Sequence, residues 1–206
     1  MFLFQETYYV RPGLQAVIDG RVRSLHENHI TNPAGAAMDW AKFRGDATTY
    51  VAFRLWHDRE VEWDAEHAAW MAEYNRTRPN DSFLGPPDIE FFEQVAQRGE
   101  TGGASLLVLC DLSVGGATRG AFNAFENELT QRLEATPGFG EYRMYRFMGG
   151  EHRYMRCEFW RDAAAGDAFW RDASMRDFSA TLTGLREAPR FRYYDVLHQV
   201  GSAKPR

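Results

Sequence analysis

The stretch TYVAFRLWHD, residues 49–58, returns 104 residues later as RYMRCEFWRD, residues 153–162. Tyr50 falls on Tyr154, Trp56 on Trp160 and Asp58 on Asp162. The same offset aligns Pro33 with Pro137, Phe43 with Phe147, Gly45 with Gly149 and Met71 with Met175. Agreement in one order, without a gap, at residue types as distinctive as Trp, Pro and Gly marks an internal repeat. The chain reads as two copies of one unit.

Each copy predicts the same element order. FLFQETYYV alternates and stops at Arg-Pro-Gly, which is a strand followed by a turn. Leu14, Val17, Ile18, Val22, Leu25 and His29 recur at a helical period, so residues 14–29 form a helix. AMDWAKF and TTYVAFRLW form a strand pair, a helix runs from about 60 to 77, and IEFFEQV is the last strand. In the second copy SLLVLCDLSV, a helix over 117–134, the strands EYRMYRF and HRYMRCEFW, a helix from about 163 to 182 and FRYYDVLHQV repeat the order. The order βαββαβ is the ferredoxin-like unit. The expected fold is α+β, with two ferredoxin-like βαββαβ units forming an intrachain dimeric α+β barrel. Residues 1–96 are expected to be the first unit, 97–105 a Gly-rich linker, 106–200 the second unit and 201–206 a tail.

Composition narrows the partners. The net charge is −5, and no basic run of five or more occurs, so nucleic acid is not expected. ASLLVLC at 104–110 is far shorter than the ~20 apolar residues of a membrane span. MFLFQETYYV lacks a basic start, and two cysteines make no disulfide framework, so a cytoplasmic setting is expected. Aromatic content of 15% suits a pocket for a flat apolar ligand.

Comparing the halves position by position isolates candidate site residues. On strand 1, Val108, Cys110, Leu112 and Val114 match Phe4, Glu6, Tyr8 and Val10, which puts Glu6 on a face expected to be buried. Either an arginine pairs with it, or desolvation raises its pKa and equips it for acid–base work. On helix 1, where Phe122, Phe125, Leu129 and Leu133 form the second stripe, His29 replaces Leu133 and His26 lies one turn before it. His29 reads as a helix-end imidazole. Alternatively His26, His29 and Glu6 form a two-histidine, one-carboxylate metal site. On helix 2, Trp63, His67, Trp70 and Tyr74 share one face of WDAEHAAWMAEY. His67 matches Arg171, while Trp63 and Trp70 match Asp167 and Ser174. A packed core stripe or a pocket around His67 would both use this pattern. Arg156 and Glu158 share a face with Tyr154 and Trp160 and read as structural ion-pairing groups across the barrel.

The run strand, Arg-Pro-Gly, helix, Asn-Pro-Ala-Gly, TYVAFRLWHD resembles the antibiotic biosynthesis monooxygenase family of the dimeric α+β barrel superfamily. ATPGFGEYRMYRF followed by MRCEFWRDAAAGDAFW resembles it more closely. The resemblance implies a fold shared by anthrone oxygenases, haem-degrading enzymes and polyketide cyclases. It sets Trp56 and Trp160 on the family's strand-3 tryptophan, and Arg76 near an active-site arginine. Ala52 and Arg156 stand where the quinone-forming oxygenases carry Asn. Trp170 matches a tryptophan of the haem-degrading group, but Ala180 replaces that group's histidine.

The expected function is a cofactor-independent enzyme of aromatic or polyketide-like metabolism. It would abstract a proton beside a carbonyl, and monooxygenation or cyclisation would follow. His67 or His29 is the expected base, Glu6 the acid or orienting group. Trp56, Trp63, Trp70, Tyr8, Arg76 and His26 are expected to contact the substrate, with oxygen as a possible co-substrate. The alternatives are a protein binding haem or a single metal ion, and a non-catalytic small-molecule binding module. Either a monomer or a homodimer fits, and no membrane partner is expected. The first unit's cleft is the expected working pocket.

Overall fold

The computed structural model describes residues 1–30, 35–57, 76, 80–150, 152–182 and 185–201, the side chains of 23–30 excepted. The chain has the α+β class expected from its repeat, as two fused ferredoxin-like units. One comprises Met1–Phe92 and Leu197–Arg206, the other Glu93–Val196.

The first unit opens with β1 (Phe2–Tyr9), α1 (Gln15–Ile30), β2 (Gly35–Phe43) and β3 (Thr49–Trp56). Its last strand is the start of β4 (Asp88–Gly99). β3 lies between β1 and β2, antiparallel to both. Asp88 at the start of β4 accepts a 3.0 Å hydrogen bond from the Tyr9 phenol of β1. The helix expected over 60–77 falls outside the described residues except at Arg76. On α1, Ile18 and Val22 are buried as the period predicts, but Val17 is 48% exposed. Those two pack with Tyr8, Trp40, Tyr50 and Phe83 into the unit's core.

The second unit takes the end of β4, then β5 (Leu106–Ser113), α2 (Arg119–Glu134), β6 (Phe139–Phe147) and β7 (Arg153–Trp160). Two helices, α3 (Ala163–Arg171) and α4 (Ala173–Ala180), and β8 (Arg190–Gly201) follow. β7 lies between β5 and β6, and β8 flanks β5. The strand ladder shifts register between Phe139 and Glu141, as it does between Gly35 and Ala37 in the first unit. A bulge repeated at the equivalent place confirms that the two units share backbone detail as well as order.

The single helix expected over about 163–182 is broken. Asp172 adopts φ −60° and ψ 138°, an extended conformation, and its side chain accepts from the Ser174 N–H at 2.8 Å. A short carboxylate satisfies the first amides of a new helix better than it continues the old one. Asp162 caps α3 in the same way, accepting from Ala164 and Ala165. At Gly166 an added Cβ would meet Leu106 and Trp160 side chains at 2.7–2.8 Å, so glycine lets α3 lie close on the sheet. Strand β4 runs through Gly99, into the stretch read as linker, and β8 includes Gly201, read as tail. Alternate β5 residues Leu106, Val108, Cys110 and Leu112 face Phe122, Phe125, Leu129 and Leu133 of α2. Phe125 stacks on Phe178 of α4 at 4.5 Å.

Candidate functional site

Of the residues singled out in the first unit, Glu6 is buried at 4% exposure. It makes an ion pair with Arg54 of β3. Glu6 sits opposite Ala52 in the ladder, and Arg54 lies one alternate position along β3. The arginine-pairing alternative for Glu6 is the one found. Tyr8 is stacked on Trp40 at 5.1 Å and tilted against Phe83 at 5.2 Å, within packed core. Trp56 is 2% exposed and clusters with Phe2 and Phe4. Arg76 is exposed. The His26 and His29 side chains lie outside the described residues, as do Trp63, His67 and Trp70. The structure therefore brings none of these groups to Glu6 among the described residues.

The second unit holds the cluster that sequence comparison passed over. Glu126 projects from α2 toward the sheet and is 7% exposed. Its Oε1 accepts from Arg156 Nη1 at 2.8 Å, and its Oε2 accepts from the Tyr142 phenol at 2.9 Å. Arg156 Nε lies 2.9 Å from Glu158 Oε1. The Trp170 indole on α3 donates to Glu158 Oε2 at 2.8 Å. Arg156 and Glu158 were expected to pair across the barrel. They pair instead with each other along β7 and, across the helix–sheet cleft of their own unit, with Glu126 and Trp170, because alternate β7 residues face α2 and α3.

The electrostatics follow from burial. Burial opposes charge on Arg156, but the Glu126 carboxylate, with lesser help from Glu158, outweighs it and raises the guanidinium further. Burial raises Glu158 above the usual carboxylate range, with Arg156 and the Trp170 bond opposing it. Tyr142 is held well above its ordinary value by burial and by the neighbouring Glu126. Cys110, opposite Arg156 in the ladder, is pushed up to about 12 by burial. Arg156 therefore stays cationic, and Tyr142 and Cys110 stay protonated near neutrality.

Glu126 and Tyr142 open onto a pocket of about 380 Å³. Phe122, Met144 and Tyr154 supply its apolar floor, and Asn123, Asn127 and Thr130 of α2 its polar wall. Arg98, Arg119 and Arg146 stand round it. Among the described residues no histidine lines this pocket, and the Cys110 thiol is wholly buried and protonated, so these residues offer haem iron neither an imidazole nor a thiolate. A carboxylate held by a guanidinium and a phenol, lining a pocket with an apolar side, can accept a proton from a bound molecule. A signal for Glu126 existed. It falls on Val22 of the first helix, as Ala52 falls on Arg156 and Met38 on Tyr142.

Residues 116–181 match the antibiotic biosynthesis monooxygenase family. The matched segment contains Glu126, Tyr142, Arg156, Glu158 and Trp170, so the whole cluster lies inside it. Among the described residues the first unit repeats the strand, helix, strand, strand order of the second, and its bulge. Solved structures agree on the fold. A protein of Fusobacterium nucleatum, named a monooxygenase without proof of activity, has TM-score 0.77 at 9% identity, covering 97% of this chain and 94% of its own. An anthrone oxidase-like protein has TM-score 0.66 at 12% identity, with 98% and 94% covered. A haem-degrading enzyme of Listeria monocytogenes has TM-score 0.57 at 9% identity, with 95% and 99% covered. At such identities the likeness is one of fold, and fold hosts several chemistries. No curated protein matches the sequence. Among the described residues no helix is long and apolar enough to cross a membrane.

Proposed function

We propose that the chain is a monooxygenase of the antibiotic biosynthesis type that oxidises an aromatic, polyketide-like molecule in the helix–sheet cleft of its second unit. The reading extends to a cytoplasmic setting and to chemistry driven by the substrate's own enolate. One observation carries it: a buried carboxylate, Glu126, is held by Arg156 and Tyr142 where it lines a pocket with an apolar side and a polar wall.

Glu126 accepts a proton from a methylene conjugated with the substrate's carbonyl. Its charge toward Tyr142 then falls, and the phenol is free to donate to the enolate oxygen. The enolate carbon gives its electron pair to O2, and the proton on Glu126 returns to the peroxide formed. Loss of water from that hydroperoxide leaves a new carbonyl. In total CH2 and O2 become C=O and H2O, with the substrate the only reductant. An anthrone, oxidised in this way to a quinone, fits both the chemistry and the likeness to an anthrone oxidase-like fold.

The test is oxygen consumption with a hydroxylated anthrone. A positioned base contributes ~10²–10⁴-fold, so Glu126→Gln should lower kcat by about that factor while the pocket still binds the quinone product. Unaltered turnover in Glu126→Gln would remove Glu126 and overturn the reading.

A further inference from the structure

We infer that the pocket of the second unit selects substrates bearing an anionic group, held by Arg119 and Arg98 at its rim. The inference rests on the reading of this pocket as a substrate site.

Three arginines from three elements border the pocket: Arg98 from β4, Arg119 from the first turn of α2, and Arg146 from β6. The chain as a whole carries five more acidic than basic residues, so such a convergence runs against its background charge. The three are not equivalent. Arg146 is engaged by Glu93, at 2.5 Å. Arg98 donates only a long 3.3 Å bond to the Gln97 carbonyl. Arg119 has no carboxylate partner among the described residues. Both Arg98 and Arg119 are exposed, so they keep their hydration until a ligand arrives. The pocket's own carboxylate, Glu126, cannot neutralise them, since Arg156 and Tyr142 already hold it on the inner side.

Helix geometry sets the line along which the ligand lies. Arg119 and Glu126 are seven residues apart on α2, two turns along one face, which is about 10 Å. Asn123 and Asn127 lie between and beside them on the same wall. A molecule with its acidic methylene at Glu126 and a carboxylate or phenolate reached by the exposed Arg119 side chain lies along that wall. A fused aromatic system with a terminal anionic substituent does so. A negative group also could not lie beside Glu126 without repulsion, so the two ends of the pocket fix the direction of binding. Arg98 and Arg119 thus act on orientation and choice, while Glu126 acts on the reacting carbon.

The experiment measures calorimetric affinity for anthraquinone-2-carboxylate and its uncharged isostere, anthraquinone-2-carboxamide. At low ionic strength the wild-type protein should bind the carboxylate about tenfold more tightly, as expected for charge-assisted bonds at an exposed site. Physiological salt should narrow the gap. Arg98→Gln with Arg119→Gln should abolish the preference and leave carboxamide affinity unchanged. Equal affinity for the two probes, binding of neither, or a preference that survives the double variant would overturn the inference. Because binding alone is read, a preference retained alongside full turnover in Glu126→Gln would sustain the anion-selective rim and reject only the catalytic role of Glu126.

Discussion

The Tyr142 phenol donates a 2.9 Å hydrogen bond to Glu126 Oε2, joining strand β6 to helix α2 at the base of the second cleft. A buried hydroxyl that loses its acceptor is costly, and so is a carboxylate that loses a donor. Tyr142→Phe removes the donor and leaves Glu126 Oε2 without it. Its expected cost is about 0.5–1.5 kcal/mol in urea unfolding, because Glu126 keeps its bond to Arg156.

Arg156 should be the most expensive residue of the cluster to remove. It is the cation between Glu126 and Glu158, and its side chain is 2% exposed. Arg156→Met leaves two carboxylates facing each other with little water. The expected loss is about 3–5 kcal/mol, read from the urea midpoint. Replacing Glu126, Arg156 and Glu158 together by apolar residues of similar volume should restore most of it, since the apolar cluster leaves no unpaired charge. A triple variant as unstable as Arg156→Met would mean that shape, not charge, sets the cost.

Glu158 makes stability depend on pH with a defined sign. Burial raises its folded-state pKa above the ordinary carboxylate value, against the pull of Arg156 and Trp170. The folded state then binds the proton more tightly than the unfolded state does. As pH rises from the unfolded value through the folded one, the unfolded state releases its proton first, and stability falls. Relative to Glu158→Gln, the wild-type protein should therefore lose stability as pH climbs above about 4.5. Paired unfolding curves at about pH 4 and about pH 8 measure it. A difference that is flat or rises with pH would show that Arg156 outweighs burial.

Cys110 should be inert in the folded protein. Its thiol is pushed up to about 12 and the side chain is wholly buried, so neither thiolate nor access is available near neutrality. Cys157 is equally buried. A chromogenic disulfide reagent should label neither residue until denaturant is added. Reaction at the rate of a free thiol in buffer would contradict that burial.

The repeat was legible because its markers are residues with strict geometric use. Trp56 and Trp160 end equivalent strands, and Asp162, which caps a helix, falls on Asp58 in the repeat. Alternation at Leu106, Val108, Cys110 and Leu112 predicts one buried face, and the structure buries it. Glu6 was legible as unusual, because a charged residue broke that alternation. Which group answered it was not, since Arg54 lies on another strand and only pairing register brings it near. The helix break at Asp172 escaped the period of the apolar residues. It depends on one side chain turning back to the Ser174 amide, a local choice that hydrophobic spacing does not record.

Sequence by itself determined the duplication, the α+β element order and the resemblance to the monooxygenase family, because these follow from periodicity and from the strict roles of a few residues. Only the tertiary structure decided that Glu126, Tyr142, Arg156, Glu158 and Trp170 form one buried cluster. Tyr142 and Arg156 are separated from Glu126 by 16 and 30 positions along the chain. Each reads alone as an ordinary polar residue on a strand or helix. Folding α2 and α3 onto alternate positions of β6 and β7 removes water from all of them together, and that shared desolvation turns five side chains into a candidate site.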